Sequence, residues 1–217
     1  MRLLLGGAVA AWREVRAIVL GVLGGALIAW AIRQRGLALL GMGLLGWIFY
    51  FFRDPARVAD DAAAEIILAP ADGRVTDIEL IEEPLFFKGP ARRVSVFLSL
   101  FDVHVQRAPF AGQVTFLHYQ PGGFAPAFLK DTHTNEFNLI GFVTPRGPLA
   151  VKQITGILAR RIVCWPQVGD GLERGERLGL IKFGSRVDLL LPPEAEITVQ
   201  VGQKVYGGQT VLGRWPR

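Results

Sequence analysis

Three polar side chains in this sequence have types that can act together. Asp72 stands in Pro70-Ala71-Asp72-Gly73, and His104 in Phe101-Asp102-Val103-His104-Val105-Gln106-Arg107-Ala108-Pro109. Ser185 stands in Ile181-Lys182-Phe183-Gly184-Ser185-Arg186-Val187-Asp188. A carboxylate, an imidazole and a hydroxyl can serve as orienter, base and nucleophile, and such a set is recognised by geometry, whatever its order in the chain. Each residue also has an ordinary structural reading. Asp72 fits an Asx-turn, His104 a hydrogen-bonded core histidine, and Gly184-Ser185 a bulge between two extended runs.

The elements that must position these residues are short and β-rich. Ile66 to Ala69 reads as a strand entering the Pro-Ala-Asp-Gly turn, and Arg74 to Ile78 as the strand leaving it. Further runs follow at Val94 to Leu100, Gly112 to Tyr119, Asn138 to Thr144, Ala150 to Ile157 and Ile162 to Trp165. A short helix can start at Pro126, after a Gly122-Gly123-Phe124 loop. Near the C-terminus Val168-Gly169-Asp170-Gly171-Leu172, with Gly175 and Leu178-Gly179, reappears 33 residues later as Val201-Gly202-Gln203-Lys204-Val205, with Gly208, Val211 and Gly213. Two copies of a glycine-punctuated strand unit predict a small β-sandwich or barrel of two pseudo-symmetric halves, with Gly184-Ser185 at their join. The units resemble half-motifs of biotinyl and lipoyl carrier domains, without the lysine-centred attachment turn of those carriers.

Hydrophobic residues make up 51% of the 217, and their excess lies at the front. Ala17 to Ile32 and Gly36 to Phe52 are nearly all apolar or glycine, separated by Arg33-Gln34-Arg35. Runs of 16 and 17 residues are slightly shorter than the ~20 that cross a bilayer, so two short spans or a hairpin dipping into one leaflet both fit. Trp12, Trp30, Trp47 and Tyr50 lie towards the ends of these runs, as interfacial aromatics do. No small-residue cleavage site follows the first run, which argues against a removable signal peptide.

The net charge of +5 has the same origin. Residues 1 to 57 hold seven arginines against Glu14 and Asp54, which leaves 17 basic and 17 acidic side chains in the rest. The basic excess therefore belongs to membrane flanks and not to a nucleic-acid surface. Five of the seven arginines lie outside the hairpin and two in its tip, which places both termini, and the following domain, on the cytoplasmic face of the cell membrane. The expected division is a membrane-anchoring hairpin over 1–57 and a β-rich catalytic domain over 58–217. Cys164 alone cannot form an internal disulfide, and His104, His118 and His133 show no metal-ligand spacing, so no metal is expected.

The motifs around the three polar residues, together with Arg53-Asp54-Pro55, occur in the order and approximate spacing of phosphatidylserine decarboxylase proenzymes. The chain resembles the short, archaeal-type branch of that family from Arg53 onward. The resemblance implies an inactive precursor that cuts itself at Gly184-Ser185 and converts Ser185 into a pyruvoyl group, the covalent cofactor for decarboxylating phosphatidylserine to phosphatidylethanolamine. A glycine carbonyl is sterically open to its neighbour's hydroxyl, and a serine needs a base; His104 would be that base and Asp72 the group that fixes its tautomer. Cleavage would give a β chain of residues 1–184 and an α chain from 185, which remain associated; a homo-oligomer is also compatible. Phe124 and Phe128 could line the lipid entry.

Two places depart from the longer branch of the family, where threonine follows Gly-Ser and a second histidine lies three residues after the first. Arg186 and Arg107 occupy them here. Phe137 likewise replaces the arginine of the family's Asn-Glu-Arg-Asn stretch. Two other readings stay open at this point. A membrane-anchored carrier-like adaptor would explain the repeats and leave His104 and Ser185 without work. A serine hydrolase would use all three residues, but Gly-Ser here lacks the Gly-x-Ser-x-Gly elbow.

Overall fold

The computed structural model describes residues 3–61, 63–123, 134–156, 161–182 and 185–216, with side chains from Val15 onward. Expectations that fall on Phe124, Phe128, Phe183, Gly184 and the short helix from Pro126 lie outside those residues. The chain forms two compact units, Met1–Pro55 and Ala56–Arg217.

The first unit is a pair of helices, α1 (Leu3–Ala31) and α2 (Arg35–Phe51). Their turn depends on Arg33, whose φ of 62° lies in the left-handed region. Val15, Val19, Leu45 and Ile48 pack together between the helices. Gly41 lets them approach closely, since a Cβ there would lie 2.8 Å from the Cβ of Ala26. Most of the remaining apolar side chains, including Leu20, Leu27, Ile28, Trp30, Leu39, Leu40 and Phe49, face outward. Among the described residues, no helix is long and apolar enough to cross a membrane.

The second unit is mostly β, as its alternating patterns predict. Its strands are β1 (Ile66–Leu68), β2 (Gly73–Glu83), β3 (Gly89–Leu98), β4 (Val105–Arg107), β5 (Gly112–Gln120), β6 (Phe137–Thr144) and β7 (Gly147–Thr155). They continue as β8 (Ile162–Cys164), β9 (Gly171–Leu172), β10 (Arg177–Ile181), β11 (Ser185–Leu191), β12 (Glu196–Ile197), β13 (Lys204–Val205) and β14 (Val211–Arg214). A curled eight-stranded sheet runs in the order β13-β2-β3-β11-β7-β6-β5-β9, and two three-stranded sheets run β1-β14-β12 and β4-β10-β8. All three contribute to one core, which includes Ile67, Val96, Leu98, Phe142, Leu180's neighbours Leu178 and Ile181, Val187 and Leu212.

The pseudo-symmetry is wider than the C-terminal repeat alone. Strands β9 and β13 close opposite edges of the large sheet, while β10 and β14 are the centres of the two small ones. Each repeat uses two left-handed glycines, Gly169 and Gly175 at φ 102° and 81°, Gly202 and Gly208 at 90° and 71°. Ala69-Pro70-x-x-Gly73-x-Val75 and Ala108-Pro109-x-x-Gly112-x-Val114 form the matching front halves. The same amides serve in both: Gly208 N donates to Ala69 O and Gly175 N to Ala108 O, each at 2.8 Å. Where the halves meet, Leu68 N donates to Pro109 O at 2.9 Å and Arg107 N to Pro70 O at 2.8 Å.

Gly73 and Gly112 begin β2 and β5 against the backbone of a neighbouring strand. A Cβ would lie 2.2 Å from Phe97 O at the first position and 2.8 Å from Val143 O at the second. Backbone in a paired strand cannot yield, so overpacking sets the cost. Gly73→Ala is expected to lower unfolding stability by about 3 kcal/mol and Gly112→Ala by about 1 kcal/mol, as read from urea midpoints.

Candidate active site

Ser185 is the first residue of β11, which is paired on both sides. It stands opposite Leu98 of β3 and Thr155 of β7. Strand alternation turns Ser185, Val187, Leu189 and Leu191 towards the main core and Arg186, Asp188 and Leu190 to the other face. Ser185 is fully buried, and its Oγ makes no hydrogen bond to any described residue, His104 included. A buried hydroxyl left this way costs free energy, so its retention calls for a chemical reason. The adjacent Arg186 is not part of this arrangement. Its guanidinium pairs with Asp188 through Nε at 2.6 Å and Nη2 at 3.0 Å on the opposite face.

The chain reaches His104 through one turn that begins beside Ser185. Ser99 follows Leu98, and its amide and hydroxyl both donate to Asp102 Oδ2, at 2.9 and 2.8 Å. The other oxygen, Oδ1, accepts from Lys204 Nζ. Burial alone would raise the Asp102 carboxyl; the Lys204 and Ser99 hydrogen bonds outweigh it and hold the group below its ordinary value. His104 is buried just before β4, and its Nδ1 lies 2.9 Å from the Asp102 carbonyl. A carbonyl only accepts, so Nδ1 carries the proton and Nε2 is the basic nitrogen of the neutral ring.

Asp72 does not make the orienting hydrogen bond expected of it. Its Oδ2 accepts from Arg57 Nη2 at 2.6 Å and its Oδ1 from the Gly207 amide at 2.8 Å, and the Asp102 carbonyl fixes the imidazole instead. Arg57 also donates to Gln209 Oε1 at 3.2 Å and lies 5.5 Å from the Tyr206 ring centre. Burial pushes the Asp72 carboxyl up; the Gly207 amide and Arg57 offset only part of the rise, and the charge of Asp102 adds to it. The pseudo-symmetric counterpart of Asp72 is Ala111, so this turn does not require a carboxylate. A charge buried where the fold accepts alanine points to chemistry.

Arg57 and the Asp102 carbonyl are contributors that sequence reasoning missed. Aligning Ala69-Pro70 with Ala108-Pro109 would have singled out Asp72 and prompted a search for its cation, but nothing local marks Arg57. The base of the 122–136 segment lies next to Thr155, the neighbour of Ser185. Thr155 N and Oγ1 both donate to Glu136 O, at 3.0 and 3.1 Å, and Gly123 N donates to Thr134 O at 2.6 Å. Phe137 belongs to the other face, with Lys152 Nζ 3.8 Å from its ring centre.

Ser185 thus pairs with Leu98, the residue that leads into the turn carrying Asp102 and His104. The phosphatidylserine decarboxylase family profile matches residues 44–213. Phosphatidylserine decarboxylase proenzyme of Symbiobacterium thermophilum is 44% identical over 209 residues, covering 95% of this chain and 94% of that one. The proenzyme of Carboxydothermus hydrogenoformans is 46% identical over 206 residues, covering 94% and 93%, and that of Salinibacter ruber 47% over 197, covering 89% and 87%. The chain belongs to the phosphatidylserine decarboxylase family, and the carrier-like adaptor reading falls away.

Arg57→Met tests the pairing at Asp72. Because the folded-state pKa of Asp72 already lies above its ordinary 3.8, the unfolded chain ionises first as pH rises, and Asp72 then detracts from stability. Removing the cation raises that pKa further. The variant is expected to match the parent below pH 3.8 and to fall about 2–3 kcal/mol behind it at neutral pH, measured by denaturation across pH.

Proposed function

We infer that the protein is a self-processing decarboxylase that converts phosphatidylserine to phosphatidylethanolamine. The observation that carries the reading is the fully buried hydroxyl of Ser185, to which no described residue hydrogen-bonds, at the head of a doubly paired strand, in a chain whose relatives are named proenzymes.

Self-cleavage at Gly184-Ser185 would begin with transfer of the Ser185 hydroxyl proton to His104 Nε2 as Oγ bonds to the Gly184 carbonyl carbon. The peptide C–N bond breaks, its nitrogen takes up a proton, and an ester joins the two segments. Loss of the residue-185 Cα proton then expels the Gly184 carboxylate by breaking the Cβ–Oγ bond. Water hydrolyses the remaining enamine, in its imine form, to a ketone and ammonia, which leaves a pyruvoyl group as the new N-terminus. The site fits such a group: Ser185 offers a small side chain in a buried position with no competing hydrogen bond from a described residue. Once formed, the pyruvoyl carbonyl supplies the electron sink for the pair released as carbon dioxide leaves.

The remaining work belongs to the chain's own residues. His104, with Nδ1 held by the Asp102 carbonyl, presents Nε2 to accept the serine proton and later to return a proton to the substrate carbon. Asp72, paired with Arg57 and held by the Gly207 amide, would support the site without touching the imidazole. Thr155 Oγ1 donates to the carbonyls of Gly123 and Glu136, and the segment between those two residues would admit the lipid, with Phe124 and Phe128 lining the entry. The helical pair would lie in one leaflet of the cell membrane, its outward apolar side chains in lipid, with the β-rich unit on the cytoplasmic face. The α and β chains stay together through the sheet.

Intact mass and denaturing gels test the reading. The parent protein is expected as two fragments meeting at residue 185, the smaller with a blocked N-terminus. Ser185→Ala is expected to remain a single 23.8 kDa chain, and His104→Ala to show at least a hundredfold slower cleavage, about the contribution of a general base. A Ser185→Ala protein that still splits would sink the assignment.

A further inference from the structure

The two residues assigned to the cleavage step stand on different sheets. Ser185 opens β11 in the eight-stranded sheet, and His104 leads into β4 at the edge of a three-stranded one. Sheets in contact through aliphatic side chains alone can shift slightly at little cost, because apolar contact has no direction. Between these two sheets the contact is apolar at Leu178 and Ile181 but also carries a chain of amide hydrogen bonds. Asn138 Nδ2 on β6 donates to Gln153 Oε1 on β7 at 3.0 Å, and Gln153 Nε2 donates to Gln106 Oε1 on β4 at 2.9 Å. Gln106 Nε2 then donates to the carbonyl of His104 itself at 2.8 Å.

The relay is buried throughout, with Gln106 and Gln153 wholly inaccessible. Its polarity is set at one end, since the His104 carbonyl can only accept, so each amide along the relay donates to the next group towards the histidine, and Gln153 Nε2 also donates to Val163 O on β8 at 3.4 Å. Gln153 stands opposite Val187, two residues along β11 from Ser185. The crossing needs a glycine. A Cβ on Gly179 of β10 would lie 2.0 Å from Val163 O and 3.1 Å from Gln153 Nε2. Primary amides in an aliphatic core are expensive to desolvate, and leucines would fill the same space without that cost. Direction is what the amides add.

We propose that Gln106 and Gln153 are positioning residues for self-cleavage, forming a one-way hydrogen-bonded relay that holds the His104 sheet in register against the Ser185 sheet. His104 is then fixed twice, by Gln106 at its carbonyl and by the Asp102 carbonyl at its ring. The proposal rests on the assignment of Ser185 and His104 made above.

The test follows the appearance of the 185–217 fragment from full-length precursor made by cell-free synthesis, with thermal stability measured on each variant combined with Ser185→Ala. Gln106→Leu is expected to slow cleavage about a hundredfold, the cost of an ångström-scale misplacement, in a precursor that still folds. Gln106→Glu supplies a readout that packing alone would not move. Its protonated carboxyl can both donate to the His104 carbonyl and accept from Gln153, whereas its carboxylate cannot donate. Cleavage by Gln106→Glu should therefore decline as pH rises, opposite to the parent, whose base gains activity as the imidazole loses its proton. Parent-like cleavage by Gln106→Leu, or a Gln106→Glu profile parallel to the parent, overturns the relay. Should Gln106→Leu fail to fold, the Gln106→Glu profile decides alone. Ser185→Ala run alongside separates the two levels: a fragment from it overturns the site assignment, while an intact Ser185→Ala beside unimpaired glutamine variants overturns only the relay.

Discussion

A pair of reciprocal hydrogen bonds, Leu68 N to Pro109 O and Arg107 N to Pro70 O, is the constraint on which the β-rich unit depends. Proline cannot donate from its nitrogen and ends the strand before it, yet its carbonyl remains available. Each half thus offers an acceptor at its corner and receives a donor from the other. The register this creates is inherited by the site. Asp72 lies two residues beyond one corner, and His104 three residues before the Arg107 amide that crosses to it. A slip at the axis would displace the carboxylate and the imidazole in opposite directions.

Around that axis the charges are arranged in compensated pairs. Arg57 answers Asp72 and Lys204 answers Asp102, so two carboxylates close enough to influence one another both remain buried. The outcomes differ because the environments do. Asp102 collects hydrogen bonds from three donors and becomes a stronger acid, whereas desolvation prevails at Asp72 and makes it a weaker one. Two aspartates a short distance apart are thereby given different affinities for a proton.

Much of this could be read from residue order. The apolar runs announced the helices, although α1 begins well before Ala17 because Arg13, Glu14 and Arg16 do not stop a helix. Strand centres were visible in the β-branched alternation. The outer parts of β2 and β3 were not, because Glu79 and Arg93 look like loop residues until their 2.8 Å ion pair across the strands is seen. The glycine repeat predicted pseudo-symmetry but showed only its C-terminal portion; the Ala-Pro corners carry the remainder. Asp72, His104 and Ser185 stood out as chemistry, yet Arg57 read as part of a basic membrane flank. Partners such as Arg57 and Asp72 are chosen by three-dimensional proximity across stretches with no periodicity to connect them. Gln106 and Gln153 were hidden for the same reason, each being an unremarkable polar residue within its own strand.

The double pairing of β11 has a consequence for molecularity. Residues 185–217 supply this inner strand together with β12, β13 and β14, so they are threaded through all but one of the sheets. A cut before Ser185 would sever no strand and leave the ladder hydrogen bonds to β3 and β7 in place. The domain would fold as one molecule and unfold as two. Before the cut, the connecting backbone keeps the segment at high effective concentration; afterwards, recovery from unfolding becomes a second-order encounter that weakens on dilution. Folding would thus be a single opportunity taken before processing, and persistence of the mature form would depend on how slowly the sheet opens.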